Sequence, residues 1–475
     1  MESIIGREQE KTLLSRIERS GEAELVAIYG RRRVGKTFLI RNFFHKQLAF
    51  EFSGIHNASL DQQLENFSDA LTKAAGSLPL AKPASWIQAF RMLTDYITPL
   101  IKKKRRVIFL DEFPWIHTPR SGFMQAFENF WNTWASKQNN LIVIICGSAA
   151  AWMIQKVINN RGGLYNRVTR RIRLLPFTIG ETAAFLKERK INLDRYQILQ
   201  LYMAMGGVPQ YLKEVESGQS ASQVIDRICF TKDGLLHDEF KHLFHSLFDD
   251  ASYHMEVIRA LAKKGAGLTR NEIIETCKLT SGGGTTQLLA ELTESGFISA
   301  YIPFDKTAKD IIYKLTDEYS LFYVKFIENS KFKGPGSWMQ FSTGSSWKSW
   351  SGIAFESICM KHTDQLKKAL GISGVHTESS MWRNKPLRGQ QGIQIDLLID
   401  RQDMCINLCE IKFSISEYEI PKGYAKELEN KLTVFRDNTK TKKSLFLTMI
   451  TTYGVKNIKT FPGLIQTQIT MDALF

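Results

Sequence analysis

Short apolar runs alternate with amphipathic stretches between residue 24 and about residue 176. Five runs begin at residues 24, 48, 106, 140 and 171: ELVAIYG, LAFEFSGI, RVIFLDE, NLIVIICGS and RIRLLP. Runs such as VIFL and LIVII lack the two-residue alternation of a strand with one face in water, which predicts central strands covered by helices on both faces. The pattern therefore predicts an α/β fold with a mostly parallel sheet, in a domain over residues 1–178.

The middle of the chain has mainly helical periodicity. Residues 179–238 predict helices that are interrupted at residues 206–209, GGVP, because two glycines and a proline end or kink a helix. Residues 239–330 contain three short helical patterns and then two strand-like runs joined by the polar turn DKTAKD, which is the outline of a winged helix. We therefore expect a helical domain followed by a winged-helix domain.

The last part of the chain predicts a second α/β region. Residues 331–346 concentrate Gly, Pro and Ser without periodicity, which predicts a linker. Residues 347–475 then predict a helix, two strands around Asp396 and Glu410, a helix near residues 422–435 and a strand at residues 444–451. We expect this segment to form a separate domain.

Length and composition are those of a globular protein with several domains. A chain of 475 residues suggests about three domains. With 43% hydrophobic and 23% charged residues, the composition excludes a disordered or fibrous chain. The net charge of +15 favours phosphate-bearing partners, DNA among them, although charge alone identifies no partner.

Neither membrane insertion nor disulfide bonding is expected. The longest apolar stretch, residues 141–154, is interrupted by Gly147 and Ser148 and is too short to span a bilayer. The N-terminal residues are charged too early for a signal peptide. The six cysteines are dispersed and form neither a zinc pattern nor a disulfide ladder. We therefore expect a cytoplasmic, reduced protein without a membrane partner.

A glycine-rich motif follows the first predicted strand. Residues 30–37, GRRRVGKT, fit the pattern G-x-x-x-x-G-K-[ST] and precede the helical stretch FLIRNFF. In such a loop backbone N–H groups close around phosphates, the lysine reaches the β- and γ-phosphate oxygens, and the hydroxyl holds Mg²⁺. We therefore expect ATP and Mg²⁺ as cofactors, and these residues as nucleotide ligands: Gly30, Arg33, Val34, Gly35, Lys36, Thr37 and Phe38.

Acidic and polar residues end the next two central runs. Asp111 and Glu112 follow VIFL; we expect Asp111 to hold Mg²⁺ through water and Glu112 to orient and activate the attacking water. An ordinary loop is the alternative for such a pair, and the phosphate loop argues against it. Ser148 ends the following run and is a candidate sensor of the γ-phosphate, with a helix cap as the alternative.

A basic stretch precedes the last predicted strand of the first domain. Hydrolysis needs positive charge where charge develops on the γ-phosphate, so an arginine here is a candidate finger residue. Arg167 is the first candidate, before Arg170 and Arg171. A solvated basic face is the alternative.

The series of motifs over most of residues 1–235 resembles the archaeal-type ATPases of the AAA+/STAND group, which are P-loop NTPases. The resemblance rests on these segments: Gly6-Arg7-Glu8, GRRRVGKT, LDEFPWI, CGSAAAWM, LYNRVTRRIRLLPF and GGVPQYL. It implies that Gly6-Arg7-Glu8 lies near the nucleotide base and that Pro209 binds from a helical lid. It also implies that a finger arginine can act across a subunit boundary, in a homo-oligomer. The family usually has L-Y-G-R where this chain has L-Y-N-R, at residues 164–167.

Three charged residues of the last domain are predicted to meet at one edge of a sheet. Alternation in IQIDLLID places Asp396 opposite Ile395, Leu397 and Ile399, and alternation in INLCEIKF places Glu410 and Lys412 on one face. Such a set suits phosphodiester hydrolysis, with the two carboxylates on Mg²⁺ and the lysine positioning water.

The same residues also allow a simpler interpretation. Glu356, on the preceding predicted helix, is a candidate for a further metal ligand. Against a metal site, charged residues on neighbouring strands often pair with each other at a sheet edge, and the tripeptide Glu-x-Lys also occurs elsewhere in this chain.

The order of helix, Asp strand, Glu-x-Lys strand and helix in residues 347–455 resembles the core of PD-(D/E)XK nucleases. The matching segments are Gly352-x-x-Phe355-Glu356, Ile395-Asp396-Leu397-Leu398 and Glu410-Ile411-Lys412. The resemblance implies a restriction-endonuclease-like fold and catalytic roles for Asp396, Glu410 and Lys412. The usual proline before the aspartate is missing.

Two functions remain open from the sequence. One is an ATP-hydrolysing switch that controls a metal-dependent, nuclease-like domain acting on DNA. The other is a regulatory ATPase whose last domain is a catalytically silent module that binds nucleic acid or protein. The winged-helix region is equally open: Lys306 and Lys309 could contact phosphate from its wing, or the region could dock protein.

Overall fold

The computed structural model describes residues 3–159, 162–164, 166–248, 250–330, 334–384, 392–456, 458–461 and 463–475. Tyr165, in one of the segments that carry the family resemblance, and residues 331–333, at the start of the predicted linker, lie outside the described residues. The chain divides into two compact units. The first unit is the chain up to Pro176 with two short later pieces, and the second unit is the remainder.

The first unit is built on a five-stranded parallel sheet. Its strands are β1 Glu24–Tyr29, β2 Leu48–Ser53, β3 Arg106–Asp111, β4 Leu141–Gly147 and β5 Arg170–Arg173. They lie in the order β2-β3-β4-β1-β5, with every pairing parallel. All residues of β4 are buried, as expected for a strand with neighbours on both edges and helices on both faces. The predicted α/β fold with a parallel sheet is confirmed.

Helices pack on both faces of this sheet. In the described part of the first unit they are α1 Glu8–Arg19, α2 Lys36–Phe43, α3 Leu60–Ala75, α4 Trp86–Ile101, α5 Phe113–Ile116, α6 Phe123–Thr133 and α7 Ala150–Met153. On one face, side chains of α3 and α4 such as Phe67 and Phe90 share an apolar cluster with Ile108 of β3. On the other face, Leu14 of α1 and Leu39 of α2 belong to a second apolar cluster. The same strands therefore supply two cores, which is why they are continuously apolar in sequence.

The remaining described helices lie in the second unit, apart from the last residue of α15. They are α8 Ile179–Glu188, α9 Arg195–Met205, α10 Pro209–Leu212, α11 Ala221–Phe230, α12 Glu239–His245, α13 Ser252–Lys263, α14 Arg270–Cys277, α15 Gly283–Glu294, α16 Glu318–Phe322, α17 Ser337–Phe341, α18 Ser345–Lys361, α19 Thr363–Ala369 and α20 Lys422–Thr439. Capping boxes begin two of them, Thr178 with Glu181 at α8 and Thr269 with Glu272 at α14.

Two sheets complete the second unit. The smaller has the antiparallel order β6-β8-β7 and follows the chain segments β6 Leu268–Thr269, β7 Ile298–Tyr301 and β8 Ile312–Leu315. The larger has the order β13-β12-β11-β10-β9 and consists of β9 Thr377–Arg383, β10 Gln394–Arg401, β11 Cys405–Lys412, β12 Ser444–Thr451 and β13 Thr467–Thr470. Its first three strands pair antiparallel and its last three pair parallel. Three helices before a hairpin is the order that the sequence predicts for a winged helix, and that assignment stays a prediction.

The predicted linker at residues 331–346 differs from the structure. Its described part contains α17 and the start of α18. Trp338 is 3% exposed and packs against the rings of Phe230 and Trp350. The carboxylate of Asp226 accepts hydrogen bonds from the backbone N–H groups of Gly336 and Trp338, at 2.6 and 2.8 Å. The glycines and serines flank a buried aromatic residue, so the composition suggested a linker where the chain is packed.

Two further expectations for the last domain are corrected. Sequence analysis did not predict β9 or β13, because β9 is mostly polar in its first half and β13 has only 4 residues. The alternation expected around Asp396 also fails, because the pairing of β10 with β9 shifts register between Ile395 and Leu398. Ile395 and Leu398 share one apolar cluster as a result, instead of Ile395 sharing a face with Leu397.

The helices of the described residues were also compared with the thickness of a bilayer. None of them combines the length and the apolar character that a membrane crossing requires.

Candidate functional site

The loop of residues 30–37 connects the end of β1 to the start of α2. Gly30 has φ +147°, and a Cβ atom there would lie 2.2 Å from the carbonyl oxygen of Leu174. Gly35 has φ +91° and is the residue before α2. Both positions therefore require glycine, one because backbone approaches closely and one because the backbone is left-handed.

Lys36 lies inside this loop. Its side chain belongs to a residue that is 6% exposed, and Nζ donates hydrogen bonds to the carbonyl oxygens of Gly30 and Arg31, both at 2.9 Å. The ammonium group is thus held across the concave side of the loop. Its position fits the phosphate-binding role that the motif predicts.

Arg7 ties the N-terminal motif to the same loop. Its guanidinium donates to the carbonyl oxygen of Val34 at 3.1 Å through Nη2 and to that of Leu175 at 2.6 Å through Nη1. Arg7 is 5% exposed and has φ +60°. Our residue-by-residue prediction of ligands omitted Arg7, although the family resemblance had indicated the segment Gly6-Arg7-Glu8.

Oxygen atoms of two elements meet beside Lys36. The Thr37 hydroxyl, in the first turn of α2, donates to Oδ2 of Asp111 at 2.7 Å, and Asp111 ends β3. The Glu112 N–H donates to the other oxygen, Oδ1, at 3.0 Å. A hydroxyl and a carboxylate are hard oxygen donors, so Thr37 and Asp111 fit an Mg²⁺ ion that keeps most of its water ligands.

Glu112 is held in place by Ser148. Its Oε2 accepts hydrogen bonds from the Ser148 hydroxyl at 2.8 Å and from the Ser148 N–H at 3.2 Å. Ser148 follows β4 and is 1% exposed, and Glu112 has φ +45° immediately after β3. The sequence indicated both residues, but their direct contact depends on β3 and β4 being neighbours in the sheet.

The other predicted nucleotide ligands have varied surroundings. Val34 is 1% exposed within an apolar cluster, Phe38 is half-buried, and Arg33 is exposed with φ +69°. Arg167 is exposed, in the turn before β5, and its N–H donates to the carbonyl oxygen of Leu164 at 3.0 Å.

Pro209 belongs to the second unit, where it is the first residue of α10. The preceding Gly207 lies against Phe177: the Phe177 N–H donates to the Gly207 carbonyl oxygen at 2.7 Å. A Cβ atom at Gly207 would lie 1.9 Å from the Phe177 carbonyl oxygen. The backbone geometry thus requires glycine beside the predicted lid residue.

A second group of charged residues lies in the second unit, around Glu410 at the end of β11. Lys412 Nζ lies 2.9 Å from Oε1 of Glu410, and Lys431 Nζ of α20 donates to Oε2 at 2.7 Å. The Tyr424 hydroxyl, also on α20, donates to Oε1. The structure therefore brings Glu410 and Lys412 together as predicted and adds Tyr424 and Lys431, which the sequence pattern did not indicate.

Asp396 belongs to the same group through its electrostatics. Burial, with further contributions from Glu356 and Glu410, raises the pKa of Asp396 to about 7. Burial also acts to raise the pKa of Glu410, but Lys412 and Lys431 outweigh it and the net shift is downward. The two carboxylates therefore differ in their tendency to be charged, as expected for neighbouring acids with unequal partners.

Glu356 forms an ion pair with Lys314 of β8. Among the described residues no three Asp, Glu, His or Cys side chains are arranged to hold one metal ion. The expectation that Glu356 adds a ligand to Asp396 and Glu410 is therefore wrong for this structure, because the carboxylate is directed to a lysine. Two carboxylates still fit Mg²⁺, which commonly uses one or two of them with water.

The sheet order and the loop define the class of the first unit. A glycine loop after β1, an Asp-Glu pair after β3 and a polar residue after the intervening β4 are the arrangement of a P-loop ATPase. Residues 5–215 match the model of a family described as an ATPase domain predominantly from Archaea. This part of the chain is therefore an archaeal-type ATPase domain.

Several individual proteins are similar to this chain. An uncharacterized protein of Methanocaldococcus jannaschii is 22% identical over 429 residues, which are 89% of this chain and 90% of that protein. A Walker-type ATPase of Pyrococcus abyssi has a TM-score of 0.48 and 18% identity, over 68% of this chain and 96% of that one. The ORC2 protein of Aeropyrum pernix, solved as ADPNP–ADP complexes, has a TM-score of 0.41 and 13% identity, over 68% of this chain and 93% of that one.

Proposed function

We propose that this protein is a switch that binds and hydrolyses ATP and thereby controls a second, nuclease-like site in its C-terminal part. The observation that carries the proposal is the set of contacts around the phosphate loop: Lys36 across the loop, Thr37 on Asp111, and Ser148 on Glu112. Each of these side chains has the chemistry that phosphoryl transfer to water requires.

The residues of the first unit have distinct roles in this proposal. Lys36 exchanges its two carbonyl partners for β- and γ-phosphate oxygens. Thr37 and Asp111 hold Mg²⁺, which when bound neutralises charge that develops on the phosphates. Glu112 accepts a proton from the attacking water, and the hydrogen bonds from Ser148 hold its carboxylate at one orientation.

Arg167 completes the proposed ATPase site from another subunit. The residue is exposed, so its guanidinium is available to a neighbouring copy of the chain. An arginine supplied in this way stabilises charge on the γ-phosphate during transfer. The proposal therefore includes a homo-oligomer as the hydrolysing form and a slow monomer as the resting form.

Replacement of the loop lysine tests the ATPase proposal. Lys36→Ala removes the ammonium group, so we expect ATP to bind at least tenfold more weakly, roughly the value of one charge-assisted hydrogen bond, and ATP hydrolysis to fall to background. Both are measured on the full chain, by the ATP-dependent shift in unfolding temperature and by phosphate release. Lys46→Ala, at an exposed lysine just beyond α2, is the matched control. ATP turnover that survives Lys36→Ala contradicts the site assignment.

We propose that the second site hydrolyses phosphodiester bonds of DNA with Mg²⁺. Asp396 and Glu410 are its oxygen ligands and Lys412 positions water and offsets charge on the scissile phosphate. The proximity of Lys412 to Glu410 and the electrostatic coupling of Glu410 to Asp396 support this proposal. The net charge of +15 favours a polyanionic substrate.

One observation favours the alternative, a C-terminal module that binds without turnover. Both carboxylate oxygens of Glu410 already have partners, in Tyr424, Lys412 and Lys431. A metal ion would have to displace at least one of them.

The hairpin that contains Lys306 and Lys309 also favours docking over DNA contact. The Phe304 N–H donates to the Met381 carbonyl oxygen at 2.8 Å, and the Phe304 ring lies 5.4 Å from that of Phe435. The hairpin thus packs on the larger sheet and on α20. We propose that this segment holds the C-terminal module, and that its exposed lysines are secondary to that role.

Plasmid cleavage separates the two alternatives. With Mg²⁺ or Mn²⁺ the wild-type chain is expected to nick or linearise supercoiled plasmid, and Asp396→Ala combined with Glu410→Ala is expected to abolish this, since both metal ligands are lost. Glu378→Ala, at an exposed acid of β9, is the matched control and should cleave like the wild type. Cleavage that persists in the double variant refutes the assignment, and no cleavage by the wild type supports the binding module.

A further inference from the structure

Lys314 lies where the sequence predicted a metal-facing carboxylate to be free. It belongs to β8, in the small sheet, and its Nζ pairs with Oε1 of Glu356 on α18. The side chains of Lys314 and Glu356 are 8% and 16% exposed, so the pair is largely removed from water. A lysine is rarely this buried unless its charge is compensated, which indicates that the contact is built into the fold.

The hairpin that carries Lys314 is packed against the C-terminal module over several contacts. Ile312 of β8 shares an apolar cluster with Met360 of α18 and Met381 of β9. Next to the ion pair, Lys361 Nζ donates to the Thr316 carbonyl oxygen at 2.8 Å. These contacts hold the lysine at one depth, because β8 cannot retract without exposing Ile312.

Glu356 is electrostatically close to the proposed metal ligands. Its carboxylate contributes, after burial, to the raised pKa of Asp396, and α18 packs against β11, the strand of Glu410. Three carboxylates in this part of the unit thus face three lysines: Glu356 faces Lys314, while Lys412 and Lys431 contact Glu410.

An ammonium group and a divalent cation are alternative partners for one buried carboxylate. Each compensates the negative charge, and a carboxylate paired with a buried lysine has little to gain from a metal ion unless the lysine leaves. Because Mg²⁺ and Mn²⁺ affinity depends on the number of charged ligands, the availability of Glu356 sets the strength of the site.

We propose that Lys314 is a built-in counter-ion that withholds Glu356 from the C-terminal site, so that release of the β7–β8 hairpin from α18 is the step that completes the metal site. The inference rests on the proposed function of that site. It makes the hairpin an autoinhibitory contact, whose displacement by a partner or by movement within the second unit increases metal affinity.

Mn²⁺ binding by titration calorimetry tests this inference without any measurement of cleavage. All variants are made in the full chain with Lys36→Ala and assayed without nucleotide, so that the site in the first unit contributes no signal. Lys314→Met frees Glu356 and is expected to tighten Mn²⁺ binding about tenfold, the scale of effect seen when a partner of a metal ligand is changed. Lys306→Met, at an exposed lysine of the same hairpin, is the matched control and should leave the affinity unchanged.

Two further variants keep the test decisive if Lys314→Met folds poorly. Lys314→Met combined with Glu356→Gln should lose the gain, because the added ligand is absent. Glu356→Gln alone should weaken Mn²⁺ binding by less than about twofold, because in the resting state the ion does not use Glu356. A tenfold loss in Glu356→Gln, or equal affinities of Lys314→Met and its parent, overturns the inference while the metal site stands. If neither protein binds Mn²⁺, the proposed nuclease function fails together with the inference.

Discussion

His362 is a buried histidine with hydrogen bonds at both ring nitrogens. Its Nε2 accepts the N–H of Ile179, the first residue of α8, at 3.0 Å, and its Nδ1 lies 2.8 Å from the carbonyl oxygen of Ile358 in α18. The ring is therefore neutral with the proton on Nδ1, and it joins the predicted lid to the C-terminal module within the second unit. Burial lowers the pKa of His362 from 6.5 to about 4.

The stability of the second unit is predicted to fall in acid through this residue. Between pH 6.5 and about 4 the unfolded chain binds a proton at His362 and the folded chain does not, so stability is lost as the pH falls through this interval. The contribution is roughly 3 kcal/mol over the whole interval. Urea unfolding at pH 7 and pH 4.5 measures it.

The variant His362→Gln carries no titrating ring, so its unfolding free energy should depend less on pH over this interval than that of the wild type. His45→Gln, at an exposed histidine of the first unit, is the matched control. Equal pH dependence of the wild type and His362→Gln would show that this histidine is not the acid-sensitive group.

Individual site residues differ in how far the sequence revealed them. Lys36, Thr37 and Asp111 could be predicted because their motif has a fixed spacing and a fixed place after a strand. Lys314 and Lys431 could not, because each contacts a carboxylate that is 42 or 21 residues away in the chain. No short-range pattern marks a lysine as the partner of one distant carboxylate.

At the scale of elements, two glycines show opposite demands of the backbone. Gly207, between α9 and α10, has no room for a Cβ atom because the Phe177 carbonyl oxygen lies 1.9 Å from its ideal position. Gly284, in the first turn of α15, is exposed and has nothing within 4 Å of that position. The same substitution should therefore have opposite effects at these two sites.

Gly207→Ala is predicted to destabilise the second unit by at least about 1–3 kcal/mol, since the clash is with backbone and cannot be relieved by a rotamer change. Gly284→Ala is predicted to stabilise α15 by up to about 1 kcal/mol, because alanine loses less conformational entropy in a helix. Chemical denaturation of the two variants beside the wild type measures both changes. Equal stability of Gly207→Ala and the wild type would contradict the close approach to Phe177.

Elements were predictable where the pattern was strong and local. The five strands of the first unit are continuous apolar runs, and each is present in the structure near its predicted position. Helix α17 was missed because five residues among glycines and serines carry no periodicity, and only the burial of Trp338 explains its order. The register shift beside Asp396 was missed because a bulge changes the face of a side chain without changing the sequence pattern.

At the scale of the whole molecule, sheet order decides which residues can meet. In the first unit β4 lies between β1 and β3, so the polar residue after β4 reaches the acid after β3. In the second unit the larger sheet changes from antiparallel to parallel pairing at β11, the strand that ends with Glu410 and Lys412. Periodicity identifies strands but contains no information on their neighbours, because pairing depends on long-range packing.

The amino-acid sequence by itself determined the parallel α/β sheet, the phosphate loop with its Asp-Glu pair, and the candidate charged residues of the last domain, because apolar periodicity and motif spacing act over a few neighbouring residues. Only the tertiary structure decided that Ser148 holds Glu112, that Tyr424 and Lys431 occupy Glu410, and that Glu356 faces Lys314. These contacts join residues far apart in the chain, and they form because buried charges and polar groups must find partners once the apolar surfaces have packed.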